Sequence, residues 1–333
     1  MKTHRVVSRL SLGLIFVGSL SLAACGGGGE EEIIVETGTY NHFVTDTVTV
    51  PTTSAQAQQY GLDIDGDPNH RVDNALGGIL ASLSALPGGG FDIQMSVDEA
   101  INMGTLVILH SIRTDDATLT SDGSVSWNVY FGEVMPVTDP PNFNGTGNFA
   151  IQAGSPTNAM VTGKLIGGSF KGGPSNVSIQ LTLVGSEPIR LNMIGARIEG
   201  LVSAGPPARC TEVKLGGAVT QDDLNTTLLP TIADLLTQQY SDVDCDLGLC
   251  AGTGTKPTCC TIDSQFDTTD DNTITVAELT AHPAVSAILT PDVDLLDADG
   301  NFNPNDDGEP DSLSLGLKFS CVSGNFTAAT ETP

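Results

Sequence analysis

Basic residues are what this sequence has least of for its size. Of 333 residues, 13 are Lys or Arg against 40 Asp or Glu, and aromatic residues make up 5%. A field of that sign repels nucleic acid and anionic lipid and attracts cations. Sparse aromatics beside 38 glycines argue against a helical bundle and for β-meanders joined by loops. Signatures of catalysis are missing too. Gly-x-Ser-x-Gly, His-Glu-x-x-His and a phosphate-cradling glycine loop ahead of a Lys are all absent. Past residue 24 the histidines are His42, His70, His110 and His282, none in a reactive setting. Acids at every second residue of a loop suit ion coordination better than the paired-carboxylate work of a glycosidase.

The first 24 residues read as a targeting segment. Lys2, Arg5 and Arg9 form a basic start, and Leu10 to Leu22 is mostly apolar but too short for a spanning helix. The run ends Leu22-Ala-Ala-Cys25, which resembles the lipobox of bacterial lipoproteins. The resemblance implies cleavage before Cys25, diacylglycerol on its sulfur and an acyl chain on the new amino group, a grip far firmer than a single chain gives. An ordinary secretory signal with an unrelated Cys is the alternative. No Asp follows Cys25, so by analogy with enteric lipoproteins the expected location is the outer membrane, facing the periplasm or the surface. Residues 25–37 include Gly26 to Gly29 and Glu30 to Glu32, a composition that cannot collapse and reads as a flexible tether. Without residues 1–24 the chain has 10 basic and 40 acidic residues, a formal charge of −30.

Six cysteines then remain, Cys210, Cys245, Cys250, Cys259, Cys260 and Cys321. An even number in an exported chain points to disulfides, with about fifteen pairings open. The expectation is that Cys245 and Cys250 pair with Cys259 and Cys260, and that Cys210 bridges Cys321. A zinc site is the rival, but no His lies in the cluster.

The acids are crowded. Residues 63–73, 242–246, 263–278 and 292–311 hold 20 of the 40, which divalent-ion loops need and a merely solvated surface does not. Asp267 to Glu278 places oxygens at positions 1, 3, 5, 9 and 12 through Asp267, Thr269, Asp271, Thr275 and Glu278, with the Thr273 carbonyl at position 7. This resembles an EF-hand loop and implies Ca²⁺ held by hard oxygens and a bidentate Glu. Asn272 replaces the turn Gly, and neutral Thr269 removes a charge. A polar turn leading into a helix without an ion is the plainer alternative. A second stretch has Asp63, Asp65 and Asp67 in Asp-x-Asp-Gly-Asp, with Asp73 six residues on. It resembles the calcium loops of thrombospondin type 3 and dockerin-like modules, although Asn74 occupies the twelfth position. Carboxylates this close repel unless a cation sits among them. The third stretch carries Asp292, Asp294, Asp297, Asp299 and Asp311. Like the second, it runs from Asp-x-Asp through Gly and Asn to a lone Asp and then an apolar pair and Gly, a degenerate internal repeat.

Hydrophobic periods complete the reading. Strands are expected within 36–51 and over 105–112, 125–134, 147–153, 159–166, 177–184, 189–194 and 196–202, with Leu313, Leu315, Leu317 and Phe319 alternating in another. Helices are expected at 75–86, at 96–103 behind a Ser96-x-x-Glu99 capping box, and from Thr220 along Leu224, Leu228, Ile232, Leu235 and Leu236. The expected fold is β-rich (α+β), an antiparallel β-sandwich or curled sheet over 38–205. A smaller helical, loop-rich calcium-binding region would follow over 206–333, beyond Pro206-Pro207. The expected role is that of a lipid-anchored envelope protein with structural Ca²⁺, presenting a surface to a glycan or protein ligand. A calcium-dependent hydrolase of polysaccharide is the alternative.

Overall fold

A computed structural model of the protein describes residues 38–327, apart from 70–71, 85–91, 137–139, 182–187, 241–265, 270 and 272. The expected signal peptide and tether, Cys25, and Cys245, Cys250, Cys259 and Cys260 lie outside the described residues.

Among the described residues ten strands are formed: β1 (Thr39–Thr49), β2 (Ile108–Thr114), β3 (Ser121–Val134), β4 (Phe149–Ile151), β5 (Met160–Ile166), β6 (Ser169–Gly172), β7 (Val177–Leu181), β8 (Ile189–Ser203), β9 (Arg209–Thr220) and β10 (Ser312–Ser323). Their order is β2-β1-β10-β9-β8-β6-β5-β3, and β3 pairs back onto β2. Eight antiparallel strands therefore close on themselves, with β4 added to β3 and β7 to β8. The β-rich, antiparallel expectation holds, and the sheet curls until its edges meet, which removes the open edges that invite aggregation.

The alternation along β3 shows why the wall is buried on both sides. Val125, Trp127 and Val129 belong to the core that fills the barrel, whereas Tyr130 belongs to a smaller outer core with Val44, Leu109, Phe149 and Val322. Inside, His110 stacks on Phe319 with ring centroids 4.9 Å apart. Its Nδ1 accepts the Trp127 indole N–H at 3.1 Å. An indole can only donate, so His110 carries its proton on Nε2 and gives it to Thr45 Oγ1, 2.8 Å away. Burial lowers the His110 pKa to about 3, so it sits neutral and satisfied in the core.

Several elements exceed the sequence expectation. β8 runs unbroken through 189–203, with a bulge between Ile194 and Arg197 where Gly195 takes φ +61°. β6, β9 and the short helix α1 (Ser54–Tyr60) had no signal assigned. α2 (Ala75–Ser84) starts at Asn74, whose Oδ1 accepts Gly77 N. α3 (Ile93–Met103) is capped by Asp92 instead of Ser96, and Gly104 ends it at φ +72°. The segment after β9 is α-helical in α4 (Gln221–Asp223), π-helical over Leu224–Leu228 and α-helical again in α5 (Leu229–Tyr240). Two short helices, α6 (Val276–Ala281) and α7 (Pro283–Ile288), follow, divided at Pro283.

The boundary drawn at 205/206 falls in the turn between β8 and β9, and the strands on both sides belong to one sheet. A Cys210–Cys321 disulfide joins β9 to β10 at paired register positions, with Cα atoms 4.9 Å apart, as the cysteine reading expected.

Candidate metal centre

The outer face of the β8–β9 wall is where two acidic loops land. Leu62 and Ile64 from the first loop, and Val293 and Leu295 from the second, form one small core with Ala218 and Ile194 of the wall. The wall makes room because it carries glycine there. A Cβ on Gly216 would stand 3.0 Å from Ile64 and 3.1 Å from Leu62, and one on Gly195 would stand 3.4 Å from both Ile64 and Leu295. In Leu62-Asp63-Ile64-Asp65 the apolar residues are thus used against the wall, and period two turns Asp63 and Asp65 the other way.

The degenerate repeat has a structural counterpart. Asp73 N donates to Leu62 O at 3.0 Å, and the Asp73 carboxylate accepts Ile64 N at 2.7 Å. Asp311 N donates to Val293 O at 3.0 Å, and the Asp311 carboxylate accepts Leu295 N at 3.1 Å and Leu296 N at 2.7 Å. In each loop the last Asp clasps the first strand-like segment. The two loops also touch directly, because Asn305 Nδ2 donates to Asp65 O at 2.7 Å.

In the first loop three carboxylates converge. One oxygen each from Asp63, Asp65 and Asp73 lie within 4.8 Å of one another. Local turns set this up: Asp63 Oδ1 accepts Gly66 N at 2.7 Å, Asp65 Oδ1 accepts Asp67 N at 2.9 Å, and Gly66 takes φ +84°. Each of the three therefore accepts one backbone N–H and leaves its other oxygen without a hydrogen bond among the described residues. No ion pair among the described residues reaches them; Arg197 instead points its guanidinium at Ile64 O. Asp73 is 4% exposed. Burial, reinforced by the charges of Asp65, Asp292 and Asp63, pushes its carboxyl up to about 7 against the pull of the Ile64 N–H. Asp292 is exposed at the surface, yet the protein packed around its carboxyl raises it, with the charge of Asp65 adding to this, although Ser314 donates both N and Oγ to that carboxylate. Asp292 thus belongs electrically to the first loop although it is distant in sequence. Asp67 stays out of the group, with its Oδ1 accepting from Asn69.

The second loop gathers no comparable trio. Asp297 accepts the N–H groups of Asp299 and Asn301, which hold its carboxyl below the ordinary range. Asp299 is exposed. Asp294 is 4% exposed, with Oδ2 on Gly308 N at 2.7 Å and a buried Oδ1 that has no hydrogen-bond partner among the described residues.

The loop Asp267 to Glu278 is organised differently again. Glu278 Oε1 accepts the N–H and hydroxyl of both Thr268 and Thr269, at 2.9 to 3.0 Å. Its Oε2 accepts Thr275 N at 3.0 Å and Thr275 Oγ1 at 2.8 Å, while Thr275 caps α6 in a reciprocal capping box. These donors, led by the Thr275 N–H, pull the Glu278 carboxyl down to about 2. Asp267 is buried and accepts Asp271 N and the Thr269 hydroxyl; Asp271 in turn accepts Thr273 N. Asp267, Asp271 and Glu278 do not form a trio of converging oxygens.

Sequence reasoning gave Asp292 to its own loop and offered nothing on Arg197, Gly195 or Gly216. The hydrogen bond between Asn305 and Asp65 links residues 240 apart, a separation at which local periodicity carries no signal. No protein-family model, curated protein or solved structure matches this chain.

Proposed function

We propose that this chain is a calcium-stabilised binding protein of the bacterial cell envelope, lipid-anchored at Cys25, in which Ca²⁺ is structural. The observation that carries the reading is the trio Asp63, Asp65 and Asp73, whose oxygens lie within 4.8 Å of one another with no ion pair reaching them among the described residues. Ligands of one Ca²⁺ sit about 2.3–2.6 Å from it, so their oxygens lie within about 5 Å of each other, as these do. The donor set is hard and anionic, which suits Ca²⁺ over a softer metal. The orphaned buried Oδ1 of Asp294 supports a second, weaker place for a cation in the repeat loop.

Asp63, Asp65 and Asp73 would hold the ion, with Asp292 adding its field. A bound divalent cation supplies neutralisation: it lets the carboxylates ionise together and locks the loop whose Leu62 and Ile64 pack on the wall. In the EF-hand-like loop an ion would first have to displace the hydrogen bonds now saturating Glu278, so that site ranks below the first. At the extracellular end of the calcium range the first site fills at roughly 0.1–1 mM. The loops then serve as a rigid surface for an external ligand, which at a formal charge of −30 is not a nucleic acid.

Thermal unfolding of the full chain with 2 mM CaCl₂ and with chelator tests the reading. A rise in melting temperature with Ca²⁺, absent in Asp73→Asn, is expected. Equal melting temperatures in the two conditions would remove calcium from the account.

A further inference from the structure

Next to the acidic loops the barrel wall carries a groove of a different character. About 490 Å³ in volume, it lies between the segment at Asn158 and Ala159 and the β7–β8 hairpin, with Ser175, Asn176, Ser178 and Asn192 along it. A further depression of about 200 Å³ adjoins it, sharing Ser175 and Asn176 and bounded by Gly195 and Phe302. Among the described residues not one Asp, Glu, Lys or Arg lines either part, in a chain where acids outnumber bases three to one. Asn158, Asn176 and Asn192 are all exposed. Asn192 is oriented from both ends, its Oδ1 accepting Ser178 Oγ at 2.8 Å and its Nδ2 donating to Asp223 Oδ1 at 3.5 Å, while Asn158 and Asn176 make no side-chain hydrogen bond among the described residues and are the amides left open.

Phe302 closes one end. The residue is 38% exposed, and its ring packs over the backbone of Gly195, where a Cβ would come within 3.0 Å of Phe302 Cε2. The ring is held from behind: Leu296 bridges to Phe302, and Asn303 N donates to Leu295 O at 2.8 Å. The exposed aromatic therefore borders a polar, uncharged depression and offers it an apolar face.

We infer that this groove binds an uncharged saccharide, with Phe302 as the stacking platform and the asparagine amides as the hydroxyl readers. An amide presents a donor and an acceptor side by side, which matches vicinal hydroxyls acting as both. The apolar C–H face of a pyranose covers an aromatic ring as one apolar surface covers another. A lining that is uncharged among the described residues disfavours acidic or basic ligands. A single exposed ring gives too little apolar area for a hydrophobic peptide. The inference deepens the binding role proposed above, and it rests on that reading for one thing, the fixing of the loop that carries Phe302.

The test uses the full chain and four neutral probes, cellohexaose, maltohexaose, mannohexaose and chitohexaose, in 2 mM CaCl₂ and in chelator. The one native tryptophan, Trp127, is fully buried, so Phe302→Trp adds an exposed reporter against a quiet background. Expected are a saturable fluorescence change in Phe302→Trp with at least one probe and calorimetric binding of the same probe by the wild type. Phe302→Ala should then bind it at least tenfold more weakly, and Asn176→Ala several-fold more weakly, both melting as the wild type does. Binding that survives in chelator supports the groove while counting against calcium as its organiser. A calcium-dependent rise in melting temperature with no binding of any probe, or binding indifferent to Phe302→Ala, overturns the groove and leaves the calcium reading standing. Capture of a peptide in preference to all four sugars would overturn it as well.

Discussion

The loops Asp63–Asp73 and Asp267–Glu278 are both acidic, both rich in turn formers, and opposite in how they treat their charge. In the first, three carboxylates approach one another with one backbone N–H each, and burial beside Asp65, Asp292 and Asp63 drives the Asp73 carboxyl up to about 7. In the second, Glu278 takes hydrogen bonds from three threonines and its carboxyl falls to about 2. One loop has stored an electrostatic deficit, and the other has discharged it through N–H and O–H donors. Spacing alone ranks the second loop as the better calcium site. Satisfaction of the oxygens reverses the order, because a cation gains most where carboxylates have least else to bind.

That contrast can be broken by exchanging the charge at each loop. Asp73→Asn should weaken Ca²⁺ binding by about a hundredfold, since it removes a ligand and half the reason for one. Isothermal titration calorimetry reads this directly, and an undiminished affinity would move the ion elsewhere. A subtler break leaves every acid in place. Gly195→Ala puts a Cβ at φ +61° within 3.4 Å of Ile64 and Leu295. It should cost about 1–3 kcal/mol of stability in a denaturant melt and loosen Ca²⁺ binding along with it.

Acidity sharpens the comparison further. A carboxyl raised to about 7 from 3.8 is protonated in the folded state where the unfolded chain is already ionised. In the ion-free protein its contribution therefore falls as pH rises from about 4 to about 7. Calcium has to displace that proton, so its affinity should drop about tenfold between pH 6 and pH 5 and change little above pH 8. His110, lowered to about 3, works in the reverse sense and removes stability as pH falls below about 6.5, so the Asp73 share is read as the difference between wild type and Asp73→Asn. Glu278, depressed to about 2 from 4.5, contributes stability that is full above pH 4.5 and is lost progressively as pH falls from there to about 2. The smallest effect belongs to Glu278→Gln. It should cost about 1 kcal/mol through the weakened capping box and leave the Ca²⁺ affinity of the first loop unchanged.

Much of this was legible along the chain, and the parts that were not share one cause. Strands such as β3 and β10 announce themselves by alternation, and α2 and α5 by helical spacing, because those signals are local. β9 was silent because Gly216 and Gly217 dilute its pattern, and they serve distant partners: Gly216 makes room for Leu62 and Ile64, and Gly217 for Met193 and Ala196 of β8. Counting thiols pointed to disulfides and Cys210–Cys321 was the pairing expected among those open, but its meaning, a clasp between neighbouring barrel strands, needed the register. Closure of the barrel through β2 and β3 is likewise a property of the whole sheet. At the acidic loops the sequence named Asp63, Asp65, Asp73 and Asp292 as ligands, yet it had no means of seeing that Asp292 reinforces the first loop. It also could not foresee that Thr268, Thr269 and Thr275 would spend the valence of Glu278.

Anomalous diffraction from crystals of the full chain grown in 5 mM CaCl₂ addresses the central claim most directly, since it locates the ion. The account predicts a calcium peak among Asp63, Asp65 and Asp73, stronger than any at the loop that ends in Glu278. A peak gripped by Glu278 with nothing between Asp63 and Asp73 would contradict it.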